Sequence, residues 1–302
     1  MAYAMNKNQN ADSDREINVT ERGKERARED EDFLPVIIKR TDEARRHPDD
    51  ILQTAIVEGL EQLNRPAFSL LLSSIAGGMM LGFSALAVAV ITMAGQSLDS
   101  PWFLRIATAL VYPLGFIICL MSGTELFTEH TATAVYPVLD QRSSIMRLLR
   151  LWGIVISGNL IGALIASELL VQADQVVRAG VAYIEIAGRL VSFGNVTLLF
   201  SAILAGWLMA IGAWLILATP PTSSQMGSIY IVTFLIGLGG LHHSIAGSVE
   251  MFVGFMLGSE FTVFQTLRFL ALAFTGNLIG GSVFVALLNY GHIRGSQSEK
   301  KI

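Results

Sequence analysis

The residues that could do chemistry are histidines and glutamates set inside long stretches with no other charge. Two strings contain them, residues 122–131 and 237–247, and each string also holds at least one glycine at the interruption of a hydrophobic run. An imidazole changes its charge near neutral pH and can exchange protons with a weak acid. Ionisable side chains inside apolar segments are functional candidates, because burying them is costly. The candidates of this kind are Glu125, Glu129, His130, His242 and His243.

An intramembrane metalloenzyme is one interpretation of this set, with His130, His242, His243 and Glu129 as ligands. Adjacent histidines on a helix point about 100° apart, however, and rarely share one metal. No His-Glu-x-x-His helix, Gly-x-Ser-x-Gly string or phosphate-binding loop is present. The single cysteine, Cys119, excludes an intramolecular disulfide and a cysteine-based metal site. We therefore expect no enzyme activity, no metal and no cofactor.

The composition indicates a membrane protein. The chain has 302 residues, of which 52% are hydrophobic and 15% charged, and its mean hydropathy is +0.53. Residues 1–65 hold 26 of the 46 charged residues, so a polar tail precedes a hydrophobic body. The net charge of −4 without a basic patch argues against nucleic acid as a partner. The tail has no apolar segment of the kind that signal peptides carry.

Six transmembrane helices are predicted from the stretches that lack Asp, Glu, Lys and Arg, since a span needs about 20 mostly apolar residues. The predicted spans are 68–94, 104–139 with an interruption, 148–171, 191–218, 228–257 with an interruption, and 266–290. The basic residues of the short flanks and of the tail favour a topology with both termini in the cytoplasm.

The regions outside the spans complete the predicted organisation. Residues 1–47 are too polar to bury a core and are expected to form a disordered cytoplasmic tail. Residues 48–64 show apolar positions at helical spacing and predict an amphipathic cytoplasmic helix, on the membrane surface or against a neighbouring subunit. Residues 65–292 would form the six-helix channel domain, and residues 293–302 a cytoplasmic C-terminal tail.

An internal repeat relates the two halves of the hydrophobic body. The string Gly-Asn-Leu-Ile-Gly at 158–162 recurs at 276–280, an offset of 118, and this offset also carries the interruption of span two onto that of span five. Because three spans per half is an odd number, the second half must be inverted. Broken helices then point their positive N-terminal ends inward, which favours an anion near the midplane. The offset maps Glu125 onto His243 and predicts that the five ionisable candidates gather there.

The motifs Leu126-Phe-Thr128, His243-Ser-Ile-Ala246 and the repeated Gly-Asn-Leu-Ile-Gly resemble those of the formate/nitrite transporter family, over about residues 48–292. The resemblance implies an all-α, aquaporin-like fold with helices 2 and 5 broken. It also implies homopentamers in the bacterial inner membrane, with a pore in each protomer. The expected substrates are small monovalent anions such as formate, nitrite or hydrosulfide, or their conjugate acids.

The resemblance also assigns roles by position. His243 corresponds to the central pore histidine and Thr128 to the loop threonine that can hydrogen-bond it. The other positions are Leu126, Phe127 and Met209 at an inner constriction, Tyr112 and Ile236 at an outer one, Asn277 beside the central site, and Arg189 in the outer vestibule. The chain departs from the family pattern at His242, at Gly247 and at Glu129-His130, where the family has Glu, Asn and small or amide residues.

These assignments predict proton-linked transport. An ion that crosses an apolar constriction meets a large desolvation cost, which the neutral acid mostly avoids. We expect Arg189 to gather the anion, Thr128 and Asn277 to hold it, and His243 to supply the proton. The alternative is an aquaporin-like pore for a small neutral solute, although the usual Asn-Pro-Ala loops are missing. Glu250, near the end of a span, is expected to snorkel or to be paired.

Overall fold

The computed structural model describes residues 46–97, 100–258 and 260–299. Residues 1–45 and 300–302 lie outside the described residues, and with them nearly all of the predicted N-terminal tail and the end of the C-terminal one.

The described residues are helical almost throughout. The first helices in chain order are α1 Pro48–Asn64, α2 Ala67–Met80, α3 Gly82–Gly95, α4 Pro101–Val111, α5 Pro113–Met121, α6 Phe127–His130, α7 Tyr136–Leu139 and α8 Ile145–Gln172. They are followed by α9 Asp174–Val177, α10 Gly180–Val191, α11 Asn195–Ala218, α12 Thr222–Gly239, α13 Ser244–Met256, α14 Val263–Gly281, a π-helical segment Ser282–Leu287 and α15 Leu288–Glu299.

Six membrane spans result, which confirms the predicted fold. In the described part of the chain, five helical stretches are long and apolar enough to cross a membrane: Ala67–Gly95, Pro101–Met121, Ile145–Gln172, Asn195–Ala218 and Val263–Gly295. The pair α12 and α13, bent by 51°, forms the sixth. Span two breaks after Met121 and continues through the short helices α6 and α7. Six crossings place both described ends of the chain on one face of the bundle, here called the terminal face.

Glycines let one helix pair in each half pack backbone against backbone. A Cβ on Gly78 of α2 would lie 2.2 Å from the carbonyl oxygen of Asn159 in α8. In the other half, a Cβ on Gly206 of α11 would lie 2.3 Å from the carbonyl oxygen of Asn277 in α14. Only glycine fits at such distances, as in other close-packed membrane helices. The two pairs are therefore equivalent, as an inverted repeat requires.

The outer surface of the bundle is apolar, as expected for contact with lipid or with neighbouring subunits. Large apolar side chains on several spans are mostly exposed in the single protomer, including Phe68 at 73% exposure, Trp102 at 72% and Phe264 at 76%.

Helix α1 lies on the terminal face and packs against its own bundle. Its apolar stripe, which includes Ile51 and Ile56, is buried in one cluster with Tyr136, Leu217 and Val285. His47 caps the helix, since its Nδ1 accepts a hydrogen bond from the N–H of Asp49 at 3.4 Å. The stripe thus contacts the chain's own spans, where the sequence pattern suggested the membrane surface or another subunit.

Replacing Gly162 by Ala should destabilise the protein, because the new Cβ would lie 2.1 Å from the carbonyl oxygen of Ile75. The backbones of α2 and α8 would have to separate, at a cost of about 1–3 kcal/mol. Gly153→Ala is the matched control in the same helix, since a Cβ there has no neighbour within 4 Å. Thermal unfolding in detergent should show a lower Tm for Gly162→Ala alone, and equal Tm values would contradict the close contact.

Candidate functional site

The centre of the candidate site is a hydrogen-bonded pair contributed by the two broken spans. His243 immediately precedes α13 in extended conformation, and Thr128 lies in the first turn of α6. The Nε2 atom of His243 lies 3.0 Å from the Oγ1 atom of Thr128. Both side chains are buried, at 1% and 0% exposure. The structure therefore joins the two residues that the sequence placed at the pore centre.

The hydrogen bonds of His243 determine which ring nitrogen carries its proton. The N–H of Ala246 donates to Nδ1 at 3.2 Å, so Nδ1 is an acceptor and caps α13. In the neutral ring, Nε2 then carries the hydrogen and donates it to Thr128. The Thr128 hydroxyl keeps its own hydrogen for another acceptor. A protonated ring would instead turn an Nδ1–H donor toward the Ala246 N–H donor, so this geometry holds His243 neutral.

Apolar side chains surround the pair. The Phe116 ring meets the His243 ring edge-on at 4.9 Å between centroids, and the Tyr112 ring lies 5.2 Å from that of Phe116. On the α6 side, Leu126 and Phe127 are buried, and the Phe127 ring lies 5.3 Å from that of Phe274. A charged solute would lose most of its hydration beside such walls.

Asn277 has a different role from the one expected. Its Oδ1 accepts from the N–H of Ser244 at 2.8 Å, and its Nδ2 donates to the carbonyls of Ala202 at 2.8 Å and His242 at 3.1 Å. Both amide hydrogens are thus used, and none remains for an anion. Asn277 holds the break in span five in place, where the sequence suggested that it holds the substrate.

Asn159 holds the break in span two in place in the same way. It stands in the repeated motif, but the candidate residues predicted from the sequence do not include it. Its Oδ1 accepts from the N–H of Phe127 at 2.9 Å, and its Nδ2 donates to the carbonyls of Ser74 at 2.7 Å and Glu125 at 2.8 Å. The equivalence of the two asparagines was the available signal.

These hydrogen bonds show that the residue offset that relates the two breaks is one residue different from the predicted one. Asn159 binds the carbonyl of Glu125 and Asn277 that of His242, so these two residues are equivalent. The residue that follows each of them, Leu126 or His243, is extended and precedes a helix. His243 therefore corresponds to Leu126, and the offset inside the breaks is one residue shorter than the 118 between the asparagines.

Glu125 lies in a buried ion cluster that the sequence did not reveal. Its carboxylate binds the guanidinium of Arg65, from the link between α1 and α2, and the Nε2 atom of His130 in α6. The carbonyl of His130 accepts a bond from the Trp152 indole at 3.1 Å. Removing one member would leave the others buried without their partner, which is strongly destabilising. Glu125 and His130 therefore fix the loop that carries Thr128.

Glu129 points in another direction, into a small cavity of about 10 Å³ among α5, α11 and α12. The lining includes Met209, the predicted inner-constriction residue, and Leu120. No hydrogen bond to the Glu129 carboxylate occurs among the described residues, although His130, Glu125 and Glu58 act on it electrostatically. The cavity has room for about one water molecule.

A large cavity of about 670 Å³ lies toward the face of the bundle opposite the terminal face, and it reaches His243. Its walls include three residues predicted for the outer part of the pore, Tyr112, Ile236 and Arg189. Glu250, expected to snorkel or to be paired, also lines it while being 8% exposed. The structure thus adds a buried carboxylate that the sequence placed at a span end.

His242 stands apart from the central pair. Its Nδ1 lies 2.7 Å from the Ser201 hydroxyl, and its ring contacts the rings of Phe193 and Phe269 at 5.3 and 6.0 Å. The ring thus packs among apolar side chains at the cavity wall. Within the described residues, no three His, Cys, Asp or Glu side chains come together as a metal site. The five ionisable candidates therefore separate into the Glu125–His130 cluster, Glu129, His242 and His243.

Comparison with known proteins gives consistent matches along the spans. A family model described as formate/nitrite transporter matches residues 49–291. The chain is 33% identical over 253 residues to the inner membrane protein YfdC of Escherichia coli K12, which covers 81% of this chain and 78% of that protein.

Two solved structures share the fold. One is described as an FNT family ion channel, with a TM-score of 0.73 and 19% identity, covering 81% of this chain and 99% of that one. The other is described as a pentameric formate channel with formate bound, with a TM-score of 0.65 and 20% identity, covering 75% and 97%.

Asn277→Asp should destabilise the protein severely. The change removes both amide donors and places a carboxylate against two buried carbonyl oxygens, at a cost of about 3 kcal/mol or more. Asn195→Asp is the matched control, because the exposed Asn195 side chain accepts a bond from Arg268, at 3.2 Å, and a carboxylate can do the same. Tm values in detergent that fall equally for both variants would count against the proposed role of Asn277.

Proposed function

Because the chain belongs to the formate/nitrite transporter family, we propose that it carries small monovalent anions of weak acids, such as formate or nitrite, across a membrane. The family membership confirms the resemblance drawn from the motifs and makes the chain a multi-pass membrane transport protein. The substrate class and the proton linkage are proposals that rest on the site.

The observation that carries the proposal is the His243–Thr128 hydrogen bond and its position. His243 lines the large cavity, and Glu129, which follows Thr128 in α6, lines the small one. The pair therefore joins a wall residue of the large cavity to the segment that lines the small one, among apolar side chains. An anion loses its hydration there at a cost of several kcal/mol, whereas the neutral acid loses much less.

The chemistry of the pair suits a neutral acid. Neutral His243 donates to Thr128, and the Thr128 hydroxyl can donate in turn to a carbonyl or nitroso oxygen of the substrate. The guanidinium of Arg189 in the large cavity attracts the anion before it enters the passage. Proton linkage follows, because each neutral acid carries one proton with it.

The assembly and the orientation complete the proposal. We infer a homopentamer in a bacterial inner membrane, because one relative is an inner membrane protein and one solved neighbour is pentameric. The terminal face would be cytoplasmic, in line with the basic residues near it. Native mass spectrometry of the purified protein should show five chains, and a stable monomer would contradict this assembly.

His243→Phe should lower formate and nitrite uptake into proteoliposomes at least about tenfold, because it removes the hydrogen bond between His243 and Thr128. The ring of Phe fills the space but can neither bind Thr128 nor accept the Ala246 N–H. Thr128→Val removes only the hydroxyl and should act in the same direction. His292→Phe, at an exposed histidine of α15, is the control.

The assay also separates an anion pathway from a pore for neutral solutes. A panel of formate, nitrite, hydrosulfide, acetate and lactate at two pH values tests the substrate class, with osmotic water and glycerol flux measured in the same vesicles. Water or glycerol flux without any weak-acid uptake would reject the proposal.

A further inference from the structure

Glu250 is a buried carboxylate that faces the substrate pathway and makes no direct bond there. It lines the large cavity at 8% exposure, and no hydrogen bond or ion pair of its side chain occurs within the described ranges of the chain. Arg189 acts on it electrostatically without forming an ion pair within 4.0 Å. Burying a carboxyl group without a partner is costly, which makes a functional role the better explanation.

The position of Glu250 relates it directly to the central histidine. His243 caps α13 and Glu250 follows it by seven positions, which places the two on one face of the helix about 10 Å apart along its axis. Both line the same cavity. A substrate that moves through the cavity toward His243 therefore passes Glu250 first.

His243 is badly placed to supply the proton that the substrate needs. Its Nδ1 accepts the Ala246 N–H, and its Nε2 donates to Thr128. If neutral His243 gave up its hydrogen, an imidazolate would remain, and if it took up a second proton, the cap of α13 would be lost. A separate group must protonate the anion before the apolar passage beside Tyr112 and Phe116.

We propose that Glu250 is the proton-exchange residue of the large cavity and protonates the anion of a weak acid before it reaches His243. The inference rests on the proposed function and deepens it. The O–H bond of the Glu250 carboxyl breaks, and an O–H bond forms on the anion, which becomes the neutral acid. Water in the cavity then returns a proton to the carboxylate. Anions of strong acids, such as chloride or nitrate, cannot accept this proton and are excluded.

Other titratable or charged groups line the same large cavity. Those that line it besides Glu250 are Arg105, Tyr112, Glu185, Arg189, His242 and His243. Among the lining residues described, Glu185 is the other carboxylate, and it is solvent-exposed on α10. It therefore provides a matched control for the same chemical change.

The test is formate uptake by the full-length protein in proteoliposomes at pH 7 and pH 5, with the luminal pH recorded by a trapped dye. Glu250→Gln should lower uptake at pH 7 at least about tenfold, a lower bound for the loss of a general acid. At pH 5 the bulk solution holds about a hundredfold more neutral acid than at pH 7, so the loss should shrink to less than about threefold. Glu185→Gln should match the wild type at both values.

Each outcome of this test supports or overturns the proposed role of Glu250. Unchanged or increased uptake by Glu250→Gln at pH 7 overturns the role of Glu250 and leaves the proposed function standing. Absence of weak-acid uptake by the wild type overturns both. If Glu250→Gln does not assemble, Glu250→Asp decides: uptake reduced at pH 7 and restored at pH 5 supports proton exchange, and an equal loss at both values shows a structural role.

Discussion

The structure depends on one constraint, that a helix broken inside a membrane must satisfy its free backbone groups within the protein. Lipid offers no hydrogen-bond partners, so each break needs a dedicated polar side chain. Asn159 and Asn277 meet this need in the two halves, each by accepting one N–H and donating to two carbonyls. The helices that begin after the breaks can then present Thr128 and His243 to each other.

The asparagines work only because glycines let the helices approach. Each asparagine backbone packs onto a glycine of the neighbouring span, Gly78 or Gly206, at a distance that no side chain allows. The amide then reaches both the neighbouring span and the break. The repeated motif, which first suggested two related halves, thus encodes the support of the pore rather than a part of its lining.

The charged groups separate into those that hold the structure and those that face the pathway. Glu125, bound to Arg65 and His130, holds the loop before Thr128 and ties it to the link between α1 and α2. Glu129 and Glu250 instead lie at the two cavities without a hydrogen-bond partner in the described part of the chain. Buried and partnered groups stabilise the fold, whereas Glu250, buried at the large cavity without such a partner, is the group for which we propose proton exchange.

The sequence alone predicts the six spans, the inverted repeat and the two breaks, because these follow from runs of apolar residues, their length and one repeated string. It also determined the family. Tertiary structure decided which polar group meets which: that Asn277 binds backbone, that Glu125 pairs with Arg65 sixty residues away, and that Glu250 faces the cavity. These contacts depend on the rotation of each helix about its axis and on the one-residue shifts at the breaks. In a wholly apolar helix, the spacing of the residues does not predict which face turns toward the interior of the protein.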